Sequence, residues 1–87
     1  MNAEKKKNNK HRGPLRGSVK ECLELYFKDL DGHDPGDVYQ MVINEVEPVM
    51  LETVMQYAGG NQTHAAEILG INRSTLRKKL RQYEIEI

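Results

Sequence analysis

The hydrophobic positions between residues 15 and 30 recur at the spacing of an α-helix. Successive apolar side chains lie one, three or four residues apart, which places them on one stripe of a helix and excludes a strand. The stripe consists of Leu15, Val19, Cys22, Leu23, Tyr26, Phe27 and Leu30. Pro14 stands where this helix can begin, and Asp31-Gly32 ends it. The pattern predicts a first amphipathic helix in which Cys22 is a small buried hydrophobe.

A second predicted helix, roughly residues 37 to 58, has too many apolar positions for one stripe. Asp34 is a cap candidate before Pro35, a plausible first helical position, and Gly59-Gly60 is a typical C-terminal stop. Between these signals the apolar side chains surround most of the helix: Val38, Tyr39, Met41, Val42, Ile43, Val46, Val49, Met50, Leu51, Val54, Met55 and Tyr57. A helix that is apolar on several faces has to be buried on several faces. Because a chain of 87 residues offers little to cover it, we expect a homodimer built on residues 15 to 58.

Proline and methionine in this second helix each support a specific expectation. Pro48 lies in the helix interior, where its missing N–H and its clash with the carbonyl of Asn44 predict a bend without a full break. The methionines Met41, Met50 and Met55 fit a hydrophobic core far better than a ligand site. The helix should therefore continue through Pro48 as part of the core.

The net charge of zero conceals a strong segregation of charge along the chain. Residues 1 to 13 have almost no apolar content and a net charge of +4, which predicts a disordered basic tail. Residues 14 to 60 carry a net charge of −6, and residues 61 to 83 carry +4. A chain with two basic ends and an acidic middle can meet a polyanion with its ends. The chain thus divides into a tail (1–13), dimerisation helices (14–60) and a C-terminal unit (61–87).

Several functional classes have no support in the composition. Cys22 is the one cysteine, so neither an intrachain disulfide framework nor a multi-cysteine metal cluster is expected. No stretch approaches the roughly 20 apolar residues of a membrane span, and the N-terminal lysines are not followed by the apolar run of a signal peptide. His11, His33 and His64 lack metal-ligand spacing. We expect a cytoplasmic protein without membrane contact, cofactor, metal or enzymatic activity.

Residues 61 to 71 have the pattern of the first half of a helix-turn-helix. Asn61 can cap a short helix, in which Ala65 and Ala66 are small enough to let another helix approach closely. Gly70 then supplies a left-handed turn, and Ile71 is an apolar plug between two helices. The segment predicts a short helix followed by a tight turn.

The second half of the motif begins with Asn72 as a cap and continues with a basic helix. Its apolar positions Leu76, Leu80 and Tyr83 fall at i, i+4 and i+7 and should face inward. On a helical wheel Ser74, Lys78 and Arg81 then point outward, flanked by Arg73 and Arg77 on one side and by Thr75, Lys79 and Gln82 on the other. This is the chemistry that a reader of the DNA major groove requires, because guanidinium groups pair with guanine O6 and N7 while hydroxyls, amides and ammonium groups hold phosphates.

The individual predictions for this surface follow from position on the helices. Arg73 is the predicted principal base reader, with Asn72 and Thr75 nearby. Arg77 and Lys78 can reach bases or backbone, and Lys79 and Arg81 are predicted to hold phosphates. Asn61, Gln62 and Thr63 should face the DNA backbone from the first helix. Double-stranded DNA is thus the predicted partner.

The stretch from Pro14 to Tyr83 resembles the Fis (factor for inversion stimulation) family of bacterial nucleoid-associated proteins. The most specific similarities are PLRGSVKECLELYF at 14–27, Glu45-Val46-Glu47-Pro48, and VMQYAGGNQTHAAEILGINRSTLRKKL at 54–80. The resemblance implies an all-α fold of four helices per chain, with an intertwined homodimer core of the first two and a C-terminal helix-turn-helix. The family's DNA contacts fall here on Asn61, Thr63, Asn72, Arg73, Thr75, Arg77 and Lys78. It also implies DNA bending, loose sequence preference, a nucleoid location, a role in transcription regulation and RNA polymerase as a candidate partner.

Two departures from that family alter the expectations. His64 stands where the family has an arginine that holds the DNA backbone, so one phosphate contact is expected to be weaker or pH dependent. The family's N-terminal β-hairpin arm, which activates DNA invertases, is replaced here by a shorter lysine-rich segment. We therefore do not expect an interaction with an invertase, and the tail is the better candidate for an additional nonspecific DNA contact.

Two alternatives remain open at the level of sequence. The same type of helix-turn-helix ends the transcriptional activators that work with sigma-54, although this chain has no ATPase domain of that class. A helical protein-interaction dimer without a nucleic-acid role is the other alternative, and the basic outward positions of residues 73 to 81 argue against it.

Overall fold

The computed structural model describes the backbone of residues 2 to 86 and the side chains from Gly13 to Glu86. Four helices occupy this part of the chain: α1 (Asn2–Asp29), α2 (Val38–Tyr57), α3 (Gln62–Leu69) and α4 (Arg73–Gln82). The described residues contain no strand, which confirms the all-α prediction. None of their helices combines the length and hydrophobicity of a membrane-spanning segment. The chain forms two compact units, Met1–Gly36 and Asp37–Ile87.

The first unit consists of α1 and the turn that follows it. The helix begins at Asn2 and continues through Pro14, in contrast to the tail without regular structure predicted for residues 1 to 13. Lysine, glutamate and alanine in this segment have high helix propensity, which favours a helix even without an apolar stripe. After α1, the His33 N–H donates a 3.1 Å hydrogen bond to the Leu30 carbonyl across a turn in which Asp31 and Gly32 have positive φ.

The side chains of α1 remain largely exposed in the single chain. Leu15 and Leu25 are 58% and 60% exposed, and Phe27, 48% exposed, contacts Tyr26 edge to face with ring centroids 5.5 Å apart. Cys22 is also exposed, so the prediction of a buried cysteine is wrong for the single chain. Leu15, Cys22 and Phe27 of the predicted stripe are thus exposed, as is Leu25, which lies outside that stripe.

The second unit packs α2, α3 and α4 around one small core. Six side chains are buried: Leu51 and Met55 from α2, Ala65 and Ala66 from α3, and Leu76 and Leu80 from α4. Val54, Ala58, Leu69, Ile71, Tyr83 and Ile85 pack partly buried around them. The C-terminal half of α2 therefore belongs to the same core as the predicted helix-turn-helix.

The bounds of α2 agree closely with the prediction, although its start differs in detail. Asp37, in the left-handed region at φ 55°, is the residue before the helix, so Asp34 and Pro35 do not form the predicted cap. The helix continues through Pro48 without a break, as predicted. Met55 is fully buried, but Met41 is only half-buried and Met50 is exposed. The core prediction is thus confirmed for one of the three methionines in the single chain.

Candidate nucleic-acid interface

The first helix of the motif, α3, is capped by the residue that the sequence predicted. The side-chain oxygen of Asn61 accepts a 3.0 Å hydrogen bond from the backbone N–H of His64. Ala65 and Ala66, 0% and 4% exposed, lie where α3 meets the core. Small side chains at these positions allow the close approach between helices that the motif requires.

Three backbone hydrogen bonds end α3 at the turn to α4, the shortest of them from the Gly70 N–H to the Ala66 carbonyl at 2.8 Å. Gly70 has φ 75° and its N–H lies 3.2 Å from the Glu67 carbonyl, while the Ile71 N–H donates a 3.1 Å hydrogen bond to the Ala66 carbonyl. This is the Schellman arrangement, which places the residue after the left-handed position against the helix that has just ended. Ile71 accordingly packs on the core, which confirms its role as the apolar plug.

The inward face of α4 consists of the predicted side chains and one more. Leu76 and Leu80 are buried and Tyr83 is partly buried against the core. Ile85 also packs there, after Glu84 adopts a left-handed φ of 55° and the Ile85 N–H bonds to the Leu80 carbonyl at 2.9 Å. The sequence prediction missed Ile85 because it lies beyond the periodic stripe, on a turn that a glutamate forms.

The outward face carries six of the eight predicted contact residues in exposed positions: Asn61, Thr63, Asn72, Arg73, Arg77 and Lys78. Asn72 precedes α4, but its side chain makes no cap hydrogen bond; only its backbone carbonyl accepts, from the Leu76 N–H at 3.0 Å. The Asn72 amide is thus not used in capping. An asparagine and an arginine stand side by side at the N-terminus of α4, which is where a recognition helix contacts base edges.

The remaining two predicted contacts, Thr75 and Lys79, are partly buried. The Lys79 ammonium nitrogen lies 2.9 Å from Glu47 Oε2, so this side chain is directed toward α2 rather than presented to a phosphate. The helical wheel had placed Lys79 on the flank, where a long side chain can turn either way, and an acidic partner on α2 decides the direction. The prediction that Lys79 holds a phosphate therefore has a competing intramolecular interaction.

Glu47 was not among the predicted site residues, although it contacts two side chains of the motif. Its Oε1 accepts a 2.6 Å hydrogen bond from the Tyr83 hydroxyl in addition to the Lys79 contact at Oε2. The hydrogen bond from Tyr83, followed by that from Lys79, holds the pKa of Glu47 below its ordinary value of 4.5, against the opposing effect of burial. The same hydrogen bond raises the pKa of Tyr83 above its ordinary value of 10.0. Glu47 lies more than 30 residues before Lys79 and Tyr83 in the sequence, so only the packing of α4 on α2 reveals the contact.

Comparison with known proteins assigns both parts of the chain to the same family. A family described as "Bacterial regulatory protein, Fis family" matches residues 42–83, and one described as "DNA-binding protein Fis N-terminal domain" matches residues 1–35. The second match includes the lysine-rich segment before Pro14.

Individual relatives from this family can be aligned with most of the chain. The DNA-binding protein Fis of Actinobacillus succinogenes is 54% identical over 83 residues, which cover 95% of this chain and 81% of the relative. The proteins of the same name from Haemophilus influenzae (strain PittEE) and Proteus mirabilis are 59% and 57% identical over 70 residues, covering 80% of this chain and 71% of each relative. The family resemblance stated from the sequence motifs is thereby confirmed.

Proposed function

The chain belongs to the Fis family of bacterial regulatory proteins, and we propose that it is a DNA-binding and DNA-bending transcriptional regulator that acts as a homodimer. The observation that carries this proposal is the outward surface of α3 and α4. Arg73, Arg77 and Lys78 are exposed there, while Leu76 and Leu80 fix the opposite side of α4 in the core. A basic helix whose apolar side is buried in the core presents its basic side outward, which suits it to the major groove. The protein is a regulator rather than an enzyme.

Arg73 and Asn72 are the proposed readers of base edges. Both lie at the N-terminus of α4, and neither side chain is buried. An arginine in this place can pair bidentately with guanine, and an asparagine with adenine. Thr75, two residues after Arg73 and half-buried, is the third proposed contact, with a base or a sugar.

The DNA backbone is the proposed partner of the remaining surface. Asn61 and Thr63 lie at the N-terminus of α3, whose free N–H groups and dipole favour a phosphate. Arg77 and Lys78 extend the same surface along α4. These contacts are independent of base sequence and support a loose sequence preference.

Apolar surface left on α1 and α2 supports the homodimer. Leu15, Leu25, Tyr39 and Val49 are all more than half exposed in the single chain. The six-residue core lies between α2, α3 and α4, so it leaves these side chains in water. Large exposed apolar side chains of this kind are typical of a protein interface, and a second copy of α1 and α2 provides a matching set.

A homodimer carries two copies of α4, which supports DNA bending. The resemblance to the family implies recognition helices too close together for successive major grooves of straight DNA, so the duplex has to curve toward the protein. The energy of that deformation depends on the sequence between the two half-sites. We place this activity on the bacterial nucleoid, with RNA polymerase as a candidate partner and without an interaction with an invertase.

Gel-shift titration on two duplexes tests DNA binding and bending together. The duplexes share the same half-sites but have a central segment that is either A/T-rich or G/C-rich, and circular permutation of the site reports the bend. We expect tighter binding to the A/T-rich centre and a bend in both complexes. Equal affinity for the two centres, without a bend, would contradict the bending mechanism; absence of any shift would contradict DNA binding itself.

Sedimentation of two matched variants tests the dimer. Leu25→Glu places a charge on the exposed apolar surface of α1, and Ile68→Glu places one on an exposed apolar residue of α3. We expect Leu25→Glu to sediment as a monomer and Ile68→Glu to remain dimeric. A monomeric wild type, or dissociation by Ile68→Glu alone, would reject residues 15 to 58 as the interface.

A further inference from the structure

Glu47 of α2 forms a pair of polar contacts with the C-terminal half of α4. One carboxylate oxygen accepts the 2.6 Å hydrogen bond from the Tyr83 hydroxyl, and the other lies 2.9 Å from the Lys79 ammonium nitrogen. The Glu47 side chain is only 16% exposed, and that of Lys79 is 31% exposed. Both oxygens of this carboxylate thus contact Tyr83 or Lys79, at a position largely shielded from solvent.

We propose that Glu47 is a positioning residue for DNA binding, which fixes the rotation of α4 on α2 and withdraws the charge of Lys79 from the DNA phosphates. This inference rests on the proposed function, since it concerns how α4 is held while it contacts DNA. It assigns Lys79 to the interior contacts of the motif and leaves Arg73, Arg77, Lys78 and Arg81 as the cations that α4 presents outward.

The charge argument follows from the geometry of the pair. If Lys79 moved to a phosphate, the Glu47 carboxylate would lose its cation while remaining mostly screened from water. A partly buried charge that loses its partner is strongly unfavourable. The loss of the pair therefore opposes the gain from a phosphate contact, and Lys79 should stay on Glu47 when DNA binds.

The positioning argument follows from the kinds of contact that hold α4. Leu76 and Leu80 bury the inner side of the helix, but apolar contacts are non-directional. Hydrogen bonds are directional, and those to Glu47 come from two residues one turn apart, Lys79 and Tyr83. Together they resist rotation of α4 about its axis. Recognition requires side chains to be held within about 10–20° of their productive direction, so loosening this contact should misdirect Arg73.

The salt dependence of DNA binding distinguishes a lysine that contacts a phosphate from a lysine that is paired with Glu47. Each phosphate contact contributes about 0.9 to the slope of log affinity against log salt concentration. We expect Lys78→Met to reduce the slope by about 1.8 for the homodimer, because one phosphate contact is lost in each subunit. Lys79→Met should weaken binding to the preferred duplex, because α4 is less firmly held, while leaving the slope unchanged.

Glu47→Gln provides the reciprocal experiment. The amide oxygen of glutamine can still accept the Tyr83 hydrogen bond, but the charge that holds Lys79 is gone. The lysine released in each subunit of the homodimer should together increase the salt slope by about 1.8 and raise the affinity for unrelated duplexes relative to the preferred one. The double variant Glu47→Gln, Lys79→Met should return to the wild-type slope, since the additional phosphate contact requires Lys79.

Three results would overturn the inference. A slope for Lys79→Met reduced as much as that of Lys78→Met would make Lys79 a phosphate contact. If Glu47→Gln left both the salt slope and the discrimination between preferred and unrelated duplexes unchanged, Glu47 would not be keeping Lys79 away from the DNA phosphates. A loss of α-helical circular dichroism in Tyr83→Phe would assign a folding role to the contact instead. If the wild type itself fails to bind DNA, the proposed function fails, which is a separate outcome.

Discussion

The side-chain oxygen of Asn61 caps α3 through a 3.0 Å hydrogen bond from the backbone N–H of His64. The cap uses the oxygen of the amide, whereas a contact with a phosphate would use its nitrogen. The two functions of this side chain can therefore be separated by substitution.

Asn61→Asp should keep the stability of the helix-turn-helix and weaken DNA binding. Aspartate retains the capping acceptor and suits the positive end of the helix dipole, but it places a negative charge against the phosphates. Asn61→Ala removes both functions and should cost about 1 kcal/mol of stability as well. Thermal unfolding and gel-shift titration of both variants check this. Equal DNA affinity in Asn61→Asp and the wild type would remove Asn61 from the interface.

Arg73→Ala should abolish the preference for specific sites while leaving the dimer intact. Arg73 is exposed at the first position of α4 and has no part in the core. A bidentate contact with guanine discriminates by about 1–3 kcal/mol, so competition between the preferred duplex and unrelated DNA should become nearly even. Lys28→Ala, which removes an exposed cation from α1, is the matched control. Unchanged competition in Arg73→Ala, or its sedimentation as a monomer, would contradict the assignment.

The contact of Tyr83 and Lys79 with Glu47 should make stability depend on pH in a defined range. The pKa of Glu47 is lower in the folded protein than its ordinary value of 4.5, so its stabilising effect is complete above that pH and is lost as the pH falls through the folded value. The raised pKa of Tyr83 adds a second stabilisation of the folded state, which is lost only as the pH rises beyond 10.0. Glu47→Gln should therefore unfold at a lower temperature than the wild type at neutral pH, with the difference closing in acid. Parallel melts across the pH range test this; a difference that persists in strong acid would argue for a cause other than ionisation.

Much of the helix-turn-helix could be predicted from sequence because its determinants are local. Leu76, Leu80 and Tyr83 follow helical periodicity, and Gly70 is required by the left-handed turn. The role of Lys79 could not be predicted, because the direction of a long flexible side chain depends on Glu47, which lies on another helix. Likewise, the composition of the core could not be predicted, since an α2 that is apolar on most faces does not indicate which face meets α3.

Glu84→Gly should stabilise the end of α4. Glu84 has φ 55°, and it precedes the Ile85 N–H that bonds to Leu80. The left-handed region costs a residue with a side chain about 1–2 kcal/mol, partly offset by the greater entropy of glycine in the unfolded chain, about 0.4–1 kcal/mol. We expect a net gain of up to about 1.5 kcal/mol, measured by denaturant unfolding. Glu86→Gly, at a position without positive φ, should show no gain, and a loss in Glu84→Gly would show that the side chain itself is needed.

Removal of residues 1 to 12 should lower the salt sensitivity of DNA binding without changing the choice of site. This segment contains five basic residues and one acidic residue, and contacts with phosphates through such residues carry no sequence information. Replacement of Lys5, Lys6 and Lys7 by glutamine should reproduce part of the effect while keeping the length of the chain. Footprinting and salt titration check both points. A footprint that moved on deletion would indicate that the segment takes part in site selection.

The position of Leu51 and Met55 in the same core as Leu76 limits how the chain can be divided. A peptide that begins after Gly60 would contain both helices of the motif but would lack the α2 side chains on which they pack. Leu76 and Leu80 would then be exposed to water. A transferable DNA reader therefore has to include the C-terminal half of α2 as well as both helices of the motif. Any graft of the motif onto another scaffold has to carry Leu51 and Met55 with it, or supply two apolar side chains in their place.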